Sequence, residues 1–82
     1  MPSPTKILQR ILSGTADANI PFEDVVHLLT ELGFKLRVKG SHHIFTKEGL
    51  VDRINIQREG NKAKPYQIKQ VRRVLLGNPD LR

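Results

Sequence analysis

Two adjacent histidines, His42 and His43, are the residues of this chain best suited to acid–base chemistry. Histidine titrates close to neutral pH, and these two follow a Gly40-Ser41 pair. A third histidine, His27, falls on the polar side of a predicted helix beside carboxylates, which is typical of a solvated surface residue. The chain has no cysteine, which excludes thiol nucleophiles, thiolate metal sites and disulfides. We therefore expect any proton transfer to use the histidine pair, without a metal.

The pattern 42–46 predicts a strand, and neighbouring residues of a strand point to opposite faces of the sheet. If Phe45 packs inward, His43 shares its side and His42 faces outward, whereas an inward Ile44 reverses the assignment. Phe45 has the larger apolar surface to bury, which favours His42 on the open face. The alternative is a pair of strand histidines without a catalytic task.

Basic residues accompany the two histidines. Lys35, Arg37 and Lys39 alternate along the preceding strand, and Arg53 begins the following one. A histidine among cations loses its proton more readily, so it can act as a neutral base near pH 7. In RNA such a base removes the 2′-hydroxyl proton while cations stabilise charge at phosphorus, and DNA lacks that hydroxyl. The predicted RNA-binding residues are Lys35, Arg37, Lys39, Ser41, Arg53, Arg58, Lys62 and Lys64.

The positive charge is concentrated in the second part of the chain. The formal net charge is +6, and residues 33–82 hold 12 of the 14 basic residues but only 4 of the 8 acidic ones. Such a distribution favours a polyanionic partner, most commonly nucleic acid. No apolar run approaches the roughly 20 residues of a membrane span, and the N-terminus lacks the apolar stretch of a signal peptide. We therefore expect a cytoplasmic protein that does not bind a membrane.

Hydrophobic periodicity predicts a single α+β domain over residues 1–82. A three-stranded sheet must cover one face, and the helices are the only available cover. We therefore expect the order α-α-β-β-β-α, with the helices on one face and a basic, open face opposite. The predicted segments are helices at 5–13, 21–32 and 65–76, loops at 14–20 and 59–64, and an antiparallel meander within 34–58.

The first strand of this meander has a simple alternation. Phe34, Leu36 and Val38 alternate with basic residues. This spacing predicts a half-buried strand with one apolar and one basic face. The third strand is predicted over Arg53–Gln57, with Ile54 and Ile56 on one face.

In several motifs the chain resembles the HicA toxins. These are the mRNA-interferase half of a bacterial and archaeal type II toxin–antitoxin pair. The resemblance runs from about Lys6 to Leu76. The motifs that carry it are Asp17-Ala18-Asn19-Ile20-Pro21-Phe22, Leu32-Gly33-Phe34, Gly40-Ser41-His42-His43-Ile44-Phe45 and Lys62-Ala63-Lys64-Pro65-Tyr66-Gln67. It implies a double-stranded-RNA-binding-domain-like fold and ribosome-independent cleavage of mRNA without a cofactor.

The resemblance also implies roles for individual residues and a partner. The histidine after Gly40-Ser41 would be catalytic, which is His42, with His43 as second choice. A HicB-type antitoxin would cover the active face. That antitoxin, rather than this chain, would supply DNA binding.

Two features differ from many family members. A Pro-x-His segment often follows the third strand, and Ile56-Gln57-Arg58-Glu59 stands there instead, so no accessory histidine is carried over. The N-terminal segment around Ile7–Leu12 is longer than in compact members, and would either cap the domain or pair with another chain. Two other functions fit the charge pattern: a non-catalytic module that binds double-stranded RNA, and an interaction module whose basic face binds an acidic protein.

Overall fold

A computed structural model describes residues 3–82, so the first two residues of the predicted domain lie outside the described part. Its helices and strands confirm the α+β class and the order α-α-β-β-β-α. The elements are α1 Pro4–Ser13, α2 Phe22–Glu31, β1 Lys35–Lys39, β2 His42–Thr46, β3 Ile54–Ile56, β4 Arg58–Glu59, β5 Lys62–Ala63 and α3 Pro65–Gly77, with short 3-10 turns at Asp17–Asn19 and Pro79–Leu81.

The ends of the helices follow from local sequence. The Ser3 hydroxyl caps α1 by accepting a hydrogen bond of 3.3 Å from the Lys6 N–H. Gly14 ends this helix in the left-handed conformation at φ 73°, which glycine adopts without steric cost. Pro65 occupies the first turn of α3, where its missing N–H removes no helical hydrogen bond.

Strands β1, β2 and β3 form an antiparallel sheet with β2 in the centre. Residues that lie opposite each other on paired strands share a face of the sheet. One face therefore carries Phe45 between Leu36 and Ile54. The opposite face carries Ile44 between Arg37 and Asn55. The two faces are called the helix side and the open side below.

The hydrophobic core lies on the helix side. Phe45, Ile54 and Ile56 are completely buried there. Ile7 and Ile11 of α1 belong to the same core, so α1 caps its own domain. The apolar stripe of α3 is confirmed, with Ile68, Val71, Val74 and Leu75 all buried.

The prediction that β1 is half-buried is wrong. All five residues from Lys35 to Lys39 are exposed, and Leu36 and Val38 are 43% and 56% exposed. Only Phe34, which precedes the strand, enters the core. The reason is that β1 packs mainly against β2 at the edge of the sheet, while α3 lies against β3. The alternation of residue types therefore predicted the strand correctly, but it did not show whether a helix packs on the apolar face of that strand.

The predicted loop at 59–64 contains a small hairpin formed by β4 and β5. Tertiary hydrogen bonds hold it in place. The Ala63 N–H donates to the Ile20 carbonyl at 3.1 Å, and the Phe22 N–H donates to the Asn61 carbonyl at 3.0 Å. The hairpin thereby connects the start of α2 to the segment that enters α3.

Two smaller differences concern the other connections. The predicted loop at 14–20 includes a 3-10 turn at Asp17–Asn19, and the third strand is limited to Ile54–Ile56. Within residues 3–82, none of the helices has the length and apolar character needed to cross a membrane.

Candidate active site

A two-residue turn places His42 at the start of β2. Lys39 and His42 are the last paired residues of β1 and β2, so Gly40 and Ser41 form the turn between them. Gly40 has a φ of 61°, and no other residue type in the described chain has a positive φ. Glycine at the first central position is typical of the type II′ turn, whose twist matches that of paired strands. The turn thereby fixes the register of His42.

The two histidines face opposite sides of the sheet. Phe45 is completely buried, which confirms its inward direction. His42 is exposed on the open side, and His43 is half-buried on the helix side. The expectation that His42 faces outward is therefore confirmed.

Two amide side chains from β3 and its end hold the His42 ring. The Asn55 Oδ1 lies 3.2 Å from Nδ1 of His42. Because a carbonyl oxygen can only accept, this contact requires the proton on Nδ1 and leaves the lone pair on Nε2. The Gln57 Nε2 lies 3.1 Å from Nε2 and 3.3 Å from Nδ1 of His42, so this amide contacts both ring nitrogens. In the neutral ring, the Asn55 contact therefore favours the tautomer whose basic nitrogen is Nε2.

Gln57 is itself fixed by contacts with the segment that leads into α3. The Lys64 ammonium donates to the Gln57 Oε1 at 3.2 Å. The backbone N–H of Gln57 donates to the Gln67 Oε1 at 2.6 Å. Gln67 is only 4% exposed, so this acceptor lies inside the domain. The ring of His42 is consequently connected to α3 through Gln57 and Gln67.

Four cations lie on the open side of the sheet, the face that also carries His42. Lys39 is directly opposite His42 on the neighbouring strand. A groove of about 390 Å³ runs over this face and is lined by Arg37, Lys39, Ile44, Thr46 and Arg53. Lys35 is paired with Thr46 and therefore faces the same side. None of these four cations forms an ion pair with another residue in the range 3–82. Their charge is available to a bound anion.

The remaining predicted RNA-binding residues are placed differently. Ser41 is exposed in the turn before His42, and Lys64 reaches the site through Gln57. Arg58 pairs with Glu23 and lies over the Phe22 ring, 4.5 Å from its centroid.

Lys62 is also directed elsewhere. Its ammonium donates to the Asn19 Oδ1 at 3.2 Å. Lys62 and Arg58 thus contact the 3-10 turn and α2, and neither takes part in the His42 network.

His43 has different surroundings from His42. Its ring packs edge-on against Phe22, with the centroids 4.7 Å apart and an angle of 77° between the planes. Its Nδ1 is buried and has no hydrogen-bond partner among the described residues. His27 is half-buried on α2, outside the His42 network. The structure therefore gives only His42 an open, hydrogen-bonded environment.

Gln67 is the functional candidate that sequence reasoning missed. It lies beside Ile68 in the buried stripe of α3 and supplies an acceptor to the β3 end. A polar residue next to a helix stripe is the only signal in the sequence, and it does not identify Gln57 as the partner. Asn55 and Gln57 fall within the predicted third strand, Arg53–Gln57, but periodicity does not define their contacts.

The fold and the charge of the open side together define a class of protein. An antiparallel three-stranded sheet with helices on one face and a basic open face is consistent with the double-stranded-RNA-binding-domain-like class. A family model described as the HicA toxin of bacterial toxin–antitoxin systems matches residues 22–75. This match covers more than half of the chain, and the chain belongs to the HicA toxin family.

The matched range extends from the start of α2 into the last turn of α3 and includes His42. Helix α1 lies before it. Membership of this family implies an antitoxin partner. Comparison with curated proteins and with solved structures gave no significant match.

Proposed function

We propose that this chain is the toxin of a type II toxin–antitoxin pair and cleaves mRNA with His42 as the general base. A HicB-type antitoxin would neutralise it in the cytoplasm by covering the open side. The observation that carries the proposal is the exposed His42 ring, in contact with Asn55, on the face of the sheet whose cations have no ion-pair partner among residues 3–82. Family membership supports the toxin role.

The proposed reaction is an internal transesterification of RNA. Nε2 of His42 takes the proton from a 2′-hydroxyl, and the 2′-oxygen bonds to the adjacent phosphorus. The bond from phosphorus to the 5′-oxygen breaks, and that oxygen takes a proton from solvent. The products are a 2′,3′-cyclic phosphate and a 5′-hydroxyl. Since the nucleophile belongs to the RNA, the reaction needs a positioned base and positive charge but no metal.

The groove supplies the positive charge that this reaction needs. Lys39 lies across from His42, and Arg37 and Arg53 line the same groove. A phosphate bound there gains negative charge when the 2′-oxygen attacks, and fixed cations stabilise that charge more strongly than they stabilise the starting diester.

The test uses one RNA oligonucleotide and the same oligonucleotide with a 2′-deoxy residue at the cleaved position. We expect the purified protein to cleave the first in the presence of EDTA and to leave the second intact. The ends of the fragments should carry a 2′,3′-cyclic phosphate and a 5′-hydroxyl. Cleavage of the deoxy substrate, or a requirement for added metal, would contradict the mechanism.

A second candidate is RNA binding without cleavage. The cations of the groove favour it, since they can bind phosphates whether or not His42 acts. It predicts salt-dependent binding of double-stranded RNA with no fragments from wild type. Induction in bacteria separates the two functions, because the nuclease arrests growth and the binding module does not.

A further inference from the structure

The free edge of β1 combines an edge backbone, exposed apolar side chains and a row of cations. β1 pairs with β2 on one side only, so it is an edge strand of the sheet. Such a strand presents a row of unpaired N–H and C=O groups. Beyond its pairing with β2, the backbone of Lys35–Lys39 makes no hydrogen bond with other residues in 3–82.

The side chains of β1 are sorted by face. Leu36 and Val38 point to the helix side and yet are 43% and 56% exposed. Lys35, Arg37 and Lys39 point to the open side and have no ion-pair partner among residues 3–82. The edge therefore offers an apolar strip on one face and a row of cations on the other.

We propose that β1 binds an extended acidic segment of a partner protein as an added strand of the sheet. Side chains of an added strand alternate between the two faces. Acidic residues of the segment would lie beside Lys35, Arg37 and Lys39, and the intervening apolar residues would cover Leu36 and Val38. Backbone hydrogen bonds supply affinity, and the acidic–apolar alternation supplies specificity.

Two other occupants fit this edge less well. A second copy of the chain would place the β1 cations opposite one another, and like charges that face each other across strands are destabilising. RNA would bind the cations, but its phosphates gain nothing from Leu36 and Val38 on the opposite face. An acidic segment with alternating apolar residues can contact the cations on one face and Leu36 and Val38 on the other.

The probe is a capped, fluorescent peptide in which glutamate and valine alternate. Two control peptides are used. The first has the same composition with its glutamates grouped at one end, and the second has lysine in place of each glutamate. We expect the alternating peptide to bind at least about tenfold more tightly than either control, because only it matches charge and apolar contact together. Equal affinity for the alternating and grouped peptides would overturn the proposal.

The matched variants are Val38→Glu and Val51→Glu. Both replace an exposed valine, since Val38 is 56% and Val51 97% exposed, and Val51 lies in the loop before β3. We expect Val38→Glu to weaken peptide binding about tenfold and Val51→Glu to leave it unchanged. Equal effects of the two substitutions would contradict binding at β1.

Hydrogen exchange locates the peptide. Bound peptide should slow amide exchange within Lys35–Lys39, and protection confined to another element would overturn the assignment. Sedimentation of the free chain tests whether β1 pairs with a second copy. If wild type forms a dimer and Val38→Glu abolishes it, the occupant of the edge is a second copy and the proposal of an acidic partner is overturned. These measurements do not depend on RNA cleavage, so they stand or fall apart from the nuclease assay.

Discussion

His42 and His43 are neighbours in the chain, yet they lie in opposite environments. His42 is exposed, and Asn55 and Gln57 contact its two ring nitrogens. His43 packs against Phe22 with a buried, unpartnered Nδ1. Alternation along β2 creates this difference, because successive side chains of a strand point to opposite faces. Residue type alone therefore does not identify the functional histidine. The face of the sheet on which each histidine lies distinguishes them.

The same contrast holds for the two faces as a whole. The helix side buries Phe45, Ile54 and Ile56 completely. The open side holds a groove lined by cations without ion-pair partners in the described range. Stability should depend mainly on the first face and phosphate binding mainly on the second. The predictions below test this division.

The largest effect on stability is expected for Phe45→Ala. Removing this buried ring should lower the free energy of unfolding by roughly 3–5 kcal/mol through lost burial and a cavity. The adjacent Ile44→Ala is the matched control on the open side. It should cost about 1 kcal/mol or less, because Ile44 is half-buried in the groove. Urea unfolding followed by circular dichroism measures both, and equal losses would remove the distinction between the faces.

A second, smaller effect is expected at the ion pair between Asp17 and Arg72. The guanidinium donates to the carboxylate at 2.8 and 3.0 Å and to the Ile11 carbonyl at 3.0 Å, so it connects α3 to the end of α1 and the 3-10 turn. Asp17→Asn should cost about 1–3 kcal/mol because it leaves a partly buried cation without its counter-charge. Asp80→Asn, at an exposed carboxylate, should leave the free energy of unfolding unchanged.

The ion pair also predicts a pH dependence. Hydrogen bonding to Arg72 holds the pKa of Asp17 below its usual value of 3.8. A lowered pKa in the folded state means that the contribution is complete above pH 3.8 and is lost as the pH falls through the lower folded value. The difference in stability between wild type and Asp17→Asn should therefore shrink below pH 3.8. A constant difference down to strong acid would show that the carboxylate charge does not stabilise the fold.

The main elements were predictable from sequence because helices and strands have different periods. The stripe Ile68, Val71, Val74 and Leu75 and the alternation around Phe45 each indicate one element and one buried side. Periodicity does not report which strand the helices cover, so the exposure of β1 was not predictable. Nor was the β4–β5 hairpin, whose strands have two residues each and depend on contacts with Ile20 and Phe22.

A third effect is expected at Gln67, which supports the open side from within the core. Gln67→Ala leaves the Gln57 N–H without its acceptor and should cost about 1–2 kcal/mol. If Gln57 positions His42, the Gln67→Ala variant should also cleave RNA about tenfold more slowly, through a lower kcat rather than a higher KM. The Gln67→Glu variant retains an acceptor and should restore part of the cleavage rate. Gln70→Ala in the same helix is the control. Unchanged cleavage by Gln67→Ala would limit this residue to a structural role.

The smallest effect is expected for single cations of the groove. Arg37→Ala should weaken RNA binding at low salt and reduce the slope of log affinity against log salt by about 1, because one phosphate contact is lost. Arg73→Ala removes an exposed cation from α3 and should leave the slope unchanged. Filter binding over a range of salt concentrations measures both. Identical slopes for both variants would place the RNA elsewhere.

The candidate site was less predictable than the fold. The larger apolar surface of Phe45 was enough to predict that His42 faces outward. The Gln67 contact joins segments ten residues apart across the start of α3, and no local pattern indicates it. Arg58 had the right charge for RNA binding, but Phe22 and Glu23 engage it on the helix side.

The most direct test of the central claim is the rate at which wild type, His42→Ala and His43→Ala cleave one RNA. Circular dichroism would confirm that each variant is folded. We expect a loss of about 10²–10⁴-fold for His42→Ala, the contribution expected of a general base. His43→Ala should retain cleavage close to wild type per folded molecule. Cleavage that survives His42→Ala and disappears in folded His43→Ala would contradict the account.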